Sequence, residues 1–262
     1  MTTIDAVLAR LSEAEQQLDD AEAPLSGWQL DPIYMGNQRL SRGDLDRVST
    51  TRPIEVLHAS GHILNVNTKA LSLSGLLKSG INHPGIALDH EGLPTGELKG
   101  PEVMMSVAGY VGFDRSLTDA DAQGLQDFAK ICVRAGVTTV TDLASRLSDE
   151  TVEMMQIVTS AEDFSARLVP LKLFIGLSPK DLIARVGELA KLSTDRLRLG
   201  KIKIVADGSI QGFPARMRWS GYYNGAPNGL WYITPEQLSE IYHLALEAGV
   251  QVHTHINGDQ AI

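Results

Sequence analysis

Between residues 137 and 256, short apolar or β-branched runs alternate with stretches of helical spacing, and no other feature narrows the possible folds as far. Residues 137–141 form such a run, closed by Asp142. Residues 166–175, 201–206 and 251–256 form three more, and helical patterns fill 150–159, 179–192 and 234–248. The last helix opens on Thr234-Pro235, a cap followed by a first-turn proline. Parallel strands need a long return connection, usually a helix, so this texture predicts a parallel α/β sheet. A further helix, starting at Leu117 with Thr118 as its cap and ending at Gly136, precedes the first strand.

The part before residue 117 has a different texture. Residues 3–22 have helical period, with Ile4, Val7, Leu8, Leu11 and Leu18 on one face. Residues 28–46 read as turn-rich and irregular. A strand over 52–58 runs into Ala59-Ser60-Gly61-His62, and a helix is expected from 67 to 78. Closely spaced Gly and Pro over 79–101 predict a long ordered loop. The organisation expected is an N-terminal helix (1–22), a loop-rich insertion (23–116) and the α/β region (117–262).

Composition mainly excludes. A formal charge of −9 without a Lys/Arg cluster argues against a nucleic-acid surface, and no apolar run is long enough to span a membrane. The acidic, helical N-terminus lacks the basic and apolar regions of a signal peptide. The single cysteine, Cys132, sits in an apolar helical pattern and reads as a core residue. It cannot form an internal disulfide, so a reducing, cytoplasmic setting is expected.

Strand ends carry the chemistry. Asp142, Lys203 with Asp207, and the pair His253 and His255 all lie where parallel α/β folds place reacting groups. Side chains repeat every second residue, so His253 and His255 share a face, as do Lys201 and Lys203. An ammonium in an apolar strand costs several kcal/mol, roughly, unless paired or neutralised. Lys203 is therefore a solvated lysine, a structural ion pair, a Schiff-base lysine or a carbamylated metal bridge. The histidines are satisfied core residues or ligands, with His253 one pleat deeper as a support for His255. Asn257-Gly258-Asp259 turns the chain toward a helix with Asp259 near its N-cap. Trp219, Tyr222, Tyr223 and Trp231 either wall an apolar or aromatic substrate pocket or pack their loop. Glu97 and Glu102 read as solvated carboxylates. Ser209 lacks the Gly-x-Ser-x-Gly elbow of a nucleophile.

Several segments together resemble amidohydrolase family 3, metal-dependent hydrolases of the amidohydrolase superfamily. They are Lys203-Ile204-Val205-Ala206-Asp207-Gly208-Ser209, His255-Ile256-Asn257-Gly258-Asp259-Gln260-Ala261, His58-Ala59-Ser60-Gly61-His62 with Asn67-Thr68-Lys69-Ala70-Leu71, and Gly92-Leu93-Pro94-Thr95-Gly96. The resemblance implies a TIM (β/α) barrel hydrolysing amide or related C–N bonds with one or two divalent ions, zinc foremost. It implies ligands from a His-x-His on the first strand, often a lysine on the fourth, a histidine each on the fifth and sixth, and an aspartate on the eighth. The strands above then become the second to fifth of a partial barrel, about four of eight. Lys203 takes the bridging position, His255 becomes the fifth-strand ligand, and His253, Asp207 and Asp259 are supports. His62, in the insertion over the barrel mouth, orients the carbonyl or shares a loop hydrogen-bond network. The expected partner is a small amide-like molecule, with a homo-oligomer possible for the full-length form. The chain is expected to be incomplete, without a whole metal site. Alternatives are a non-catalytic derivative and a Lys203 Schiff-base lyase.

Overall fold

A computed structural model describes residues 2–36, 38–112, 121–218 and 221–262. Its contacts divide the chain into two compact units: a sheet unit of Met1–Ser116, Asp207–Tyr232 and Ile256–Ile262, and an α/β unit of Leu117–Ala206 and Ile233–His255.

The sheet unit contains α1 (Ile4–Glu15), β1 (Leu25–Leu30), α2 (Arg42–Asp46), β2 (Ile54–His58), β3 (Ile63–Val66), α3 (Thr68–Leu73), β4 (Ile86–Leu88), β5 (Pro94–Lys99) and α4 (Pro101–Val111). Its five strands are ordered β1-β2-β3-β5-β4, with β1 and β2 parallel and the remaining pairs antiparallel. Alternation gives each face its own core. Leu57, Leu64, Val66 and Leu98 pack against Leu71 of α3 and Val103, Met104 and Val107 of α4. Ile54 and Val56 join Val7, Leu8 and Leu11 of α1. Ser41 and Asp44 form a capping box that starts α2, and Asn67 caps α3.

The α/β unit contains α5 (Ala122–Arg134), β6 (Thr139–Ser145), α6 (Asp149–Ser160), β7 (Arg167–Leu173), α7 (Pro179–Lys191), β8 (Lys201–Val205), α8 (Pro235–Glu247) and β9 (Gln251–His255). The sheet is parallel throughout, in the sequential order β6-β7-β8-β9. Asp121, Ser148, Ser178 and Thr234 each cap a helix by accepting a backbone N–H. One sheet face meets the helices: Leu168 packs with Val152, Met155 and Leu189, and the Tyr242 hydroxyl of α8 meets the Thr254 hydroxyl. Ile202 and Ile204 are fully buried on that face. The chain is thus a mixed α/β fold with a parallel sheet, as the alternation predicts, and Cys132 is buried and free.

The structure corrects the reading of the first half. The 79–101 stretch is not a loop, because β4 and β5 lie within it. Its glycines mark close approach of backbones instead: a Cβ on Gly96 (φ +97°) would sit 2.3 Å from the Val66 carbonyl oxygen. The irregular reading of 28–46 overlooked the end of β1, whose Gln29 has φ 70° and a register shift beside it. Helix α1 stops at Glu15, leaving Leu18 exposed. The expected start at Leu117 and Thr118 lies outside the described residues. No helix among the described residues is long and apolar enough to cross a membrane.

One buried charge gives the sheet unit a pH dependence. Glu55 is 2% exposed; its Oε1 accepts from the Ser26 hydroxyl at 2.9 Å, and its Oε2 has no partner among the described residues. Burial pushes its pKa from 4.5 up to about 7. The folded state therefore holds this proton more tightly than the unfolded chain, so the group's contribution to stability falls as pH rises from 4.5 through about 7. Glu55→Gln should match the wild type near pH 4.5 and exceed it by roughly 3 kcal/mol at pH 8 in urea unfolding. Equal stabilities at pH 8 would contradict this.

Candidate functional site

The site candidates of the α/β unit are placed by one register. In the β8/β9 pair, Lys201 lies opposite Gln251, Lys203 opposite His253 and Val205 opposite His255. Paired residues of parallel strands point the same way, so Lys203, His253 and His255 share the face away from the helices. Adjacent strands lie about 4.8 Å apart and a pleat repeats every ~6.6 Å, which sets His255 one pleat beyond Lys203 toward the strand ends.

Their surroundings differ. Lys201 donates to the Gln251 side chain at a solvated strand start. Lys203 is 7% exposed, and among the described residues no carboxylate pairs with it. Burial holds its pKa below the usual lysine range, which enlarges the neutral-amine fraction at any given pH. His255 is half-buried and His253 exposed. Asp142 lies within β6, its Oδ1 accepting from Ala144 N at 3.1 Å. Among the described residues no three His, Cys, Asp or Glu side chains gather closely enough to hold a metal ion. Lys203 and His255 offer two donors on one face, short of the three protein ligands a catalytic zinc takes. The described residues do not complete a metal site.

The other candidates fall in the sheet unit. Asp207 is fully buried, and its carboxylate accepts three backbone N–H groups: Arg216 at 2.8 Å, Asn257 at 2.8 Å and Gly258 at 2.7 Å. The Asn257 side chain returns a bond to the Gly208 carbonyl at 2.9 Å. A Cβ on Gly258 would lie 1.9 Å from the Arg216 carbonyl oxygen, so only glycine fits there. Asp259 lies in the turn that follows β9 and accepts from Arg218 N at 2.7 Å. Asp207 and Asp259 thus act as clamps on backbone. His62 stacks on Tyr232 with ring centroids 5.7 Å apart. The Tyr222 hydroxyl donates to the Ala215 carbonyl at 2.8 Å, Tyr223 is fully exposed and Trp231 half-buried. Trp219 lies outside the described residues.

Sequence reasoning missed a buried polar layer on the sheet unit's β2-β3-β5 face. Glu97, read as solvated, is 5% exposed, with Oε1 3.1 Å from the Lys99 ammonium and Oε2 3.4 Å from the Arg39 guanidinium. Glu102 is exposed, as expected. The Asn65 amide nitrogen donates to the Leu40 carbonyl, leaving its Oδ1 to accept from His58 Nε2 at 2.6 Å. Burial, ahead of other influences, lowers the His58 pKa. The available signal was the alternation Glu97-Leu98-Lys99 beside Ile63-Leu64-Asn65, which places the charges on one face.

Removing the Asp207 carboxylate would strand three backbone donors, each worth about 1–3 kcal/mol when unsatisfied. Asp207→Ala should therefore destabilise the protein by more than about 3 kcal/mol, and Asp207→Asn by less. Thermal denaturation checks the order; equal losses would remove the clamp from the account.

A family model described as "Amidohydrolase family" matches residues 1–262. "Putative amidohydrolase YtcJ" of Bacillus subtilis (strain 168) is 27% identical over 274 aligned residues, taking in 100% of this chain and 49% of that protein. "Protein LONG AFTER FAR-RED 3" of Arabidopsis thaliana is 24% identical, over 90% of this chain and 41% of its own length. Among solved structures, an uncharacterized metal-dependent hydrolase from Pyrococcus horikoshii OT3 superposes with a TM-score of 0.54 at 16% identity, over 99% of this chain and 49% of that one. The chain spans about half the length of the curated relatives it matches. With the family model covering every residue and the Lys203 and His255 segments in place, the chain belongs to the amidohydrolase family.

Proposed function

We propose that this chain carries part of the active site of a metal-dependent amidohydrolase that cleaves C–N bonds of small, non-peptide, amide-like substrates. The supporting observation is Lys203: a buried lysine with no counter-charge among the described residues, on the same face as His255 at the ends of adjacent parallel strands. On this reading β6 to β9 are the second to fifth strands of a TIM barrel, which their sequential parallel order supports. A divalent ion, zinc first, would supply Lewis acidity, polarising the scissile carbonyl and lowering the pKa of water.

The chain's own residues have narrower tasks. His255 would be a metal ligand from the sheet face away from the helices. As its neutral amine, Lys203 would add to carbon dioxide and release one proton to solvent, leaving an anionic carbamate, a donor where an ammonium would repel a cation. The single cysteine fits a reducing, cytoplasmic setting, and a homo-oligomer is the proposed state of the full-length form.

Metal-stripped protein titrated with zinc or manganese tests the reading. Lys203→Met and His255→Ala should each weaken uptake by at least about tenfold with the circular dichroism unchanged. Hydrolysis of an N-acyl amide panel should need added metal. Unchanged uptake in both variants would sink the assignment. The same buried lysine also suits a Schiff-base lyase; borohydride trapping of a carbonyl substrate on Lys203, with no metal requirement, would favour that chemistry instead.

A further inference from the structure

Two cations of the polar layer, Arg39 and Lys99, flank the Glu97 carboxylate. Asp31 is a second carboxylate within electrostatic reach of His58, and burial favours the neutral form of that imidazole.

Arg39 is the under-used member. Its guanidinium has five N–H donors. Among the described residues it makes one hydrogen bond, from its Nη2 to the Gly212 carbonyl at 3.3 Å. Its approach to Glu97, 3.4 Å from Nε, is ionic contact only. About a third of the side chain (32%) stays open, while Glu97 is almost covered (7%). Arg42 and Arg52, by contrast, each place two guanidinium hydrogen bonds on a carbonyl and a carboxylate.

The group is nevertheless held in place. The Phe213 ring lies under the guanidinium, 5.1 Å from centroid to carbon, and Tyr222 buttresses Phe213 edge-on at 5.0 Å. Phe213 keeps a left-handed φ of 69°, a strained state for an aromatic residue that its surroundings must enforce. Nearby, Gly212 lies against Ile63 of the same sheet face. The Ser209 hydroxyl is 3.3 Å from where a Gly212 Cβ would be, buried and without a hydrogen-bond partner among the described residues.

We propose that Arg39 and Lys99 form a binding subsite for the carboxylate of a small organic acid, with Phe213 and Tyr222 as its apolar wall and Glu97 as the internal anion that holds the cations apart until the ligand arrives. The incoming carboxylate takes the free edge of the Arg39 fork. This goes beyond amide hydrolysis, and its test needs no turnover.

The probe is benzoate, with benzamide as its neutral isostere, followed through the Arg39 Nε–H resonance of the 15N-labelled full chain. Benzoate should shift that resonance saturably and benzamide should not. Arg39→Lys, which keeps the charge but loses the fork, should weaken benzoate binding roughly tenfold, and Lys99→Met several-fold, about 3. Glu97→Gln separates this subsite from a purely structural ion cluster. Removal of the competing anion should tighten benzoate binding, whereas a structural cluster would lose order and bind no better. Equal responses to the two probes, no response to either, or weaker binding in Glu97→Gln would overturn the proposal. Circular dichroism of each variant reports retained folding.

Discussion

The pleat of a parallel sheet covered by helices on one side governs the candidate site. Every second residue of β6 to β9 faces the helices, and Leu168, Ile202 and Ile204 fill that face with apolar side chains while Thr254 meets it with a hydroxyl bonded to Tyr242. The intervening residues are released from it. Lys201, Lys203, Gln251, His253 and His255 occupy these positions on neighbouring strands, aligned residue by residue. A slip of one residue in this register would turn the imidazoles into the helix layer and Thr254 out of it. The shared face of Lys203 and His255 is thus a consequence of how the α/β core is buried.

The sheet unit keeps its polar groups by a different device. Its loops are held by carboxylates bonded to backbone, Asp207 above all, and by glycines where a Cβ has no room, as at Gly96 and Gly258. Against this stand buried polar atoms with no partner among the described residues: Glu55 Oε2, His58 Nδ1, Ser209 Oγ, Arg216 Nε and the Tyr232 hydroxyl. Each costs about 1–3 kcal/mol if left dry. Three of them belong to the 207–232 segment, the stretch that also carries the strained Phe213. Unspent hydrogen-bonding capacity and backbone strain therefore coincide, as they do where a protein keeps groups in readiness for something else to bind.

How much was legible varies with the kind of signal. The β6 to β9 strands are β-branched or apolar and the helices between them carry strong caps, so local chemistry and tertiary environment agree. β4 and β5 disagree with their local chemistry: Gly85, Gly92, Pro94, Gly96 and Gly100 announce a loop, yet the antiparallel ladder with β3 makes Pro94–Lys99 a strand. Glycine there answers to the neighbouring backbone, and no neighbour is visible in one dimension. Glu97 was misread for the same reason, since its burial depends on Arg39 and on the neighbouring strand β3, both from other segments.

The sequence by itself determined the parallel α/β texture, the common face of His253 and His255, the burial of Cys132 and the membership of the amidohydrolase family. These follow from residue type, period and motif, which are local. Tertiary structure alone decided that Lys203 is buried with no counter-ion among the described residues, that Asp207 binds backbone, and that Arg39 meets Glu97 beside Lys99. Pairing partners and solvent exposure belong to contacts between residues far apart in the chain, and only the folded chain brings those residues together.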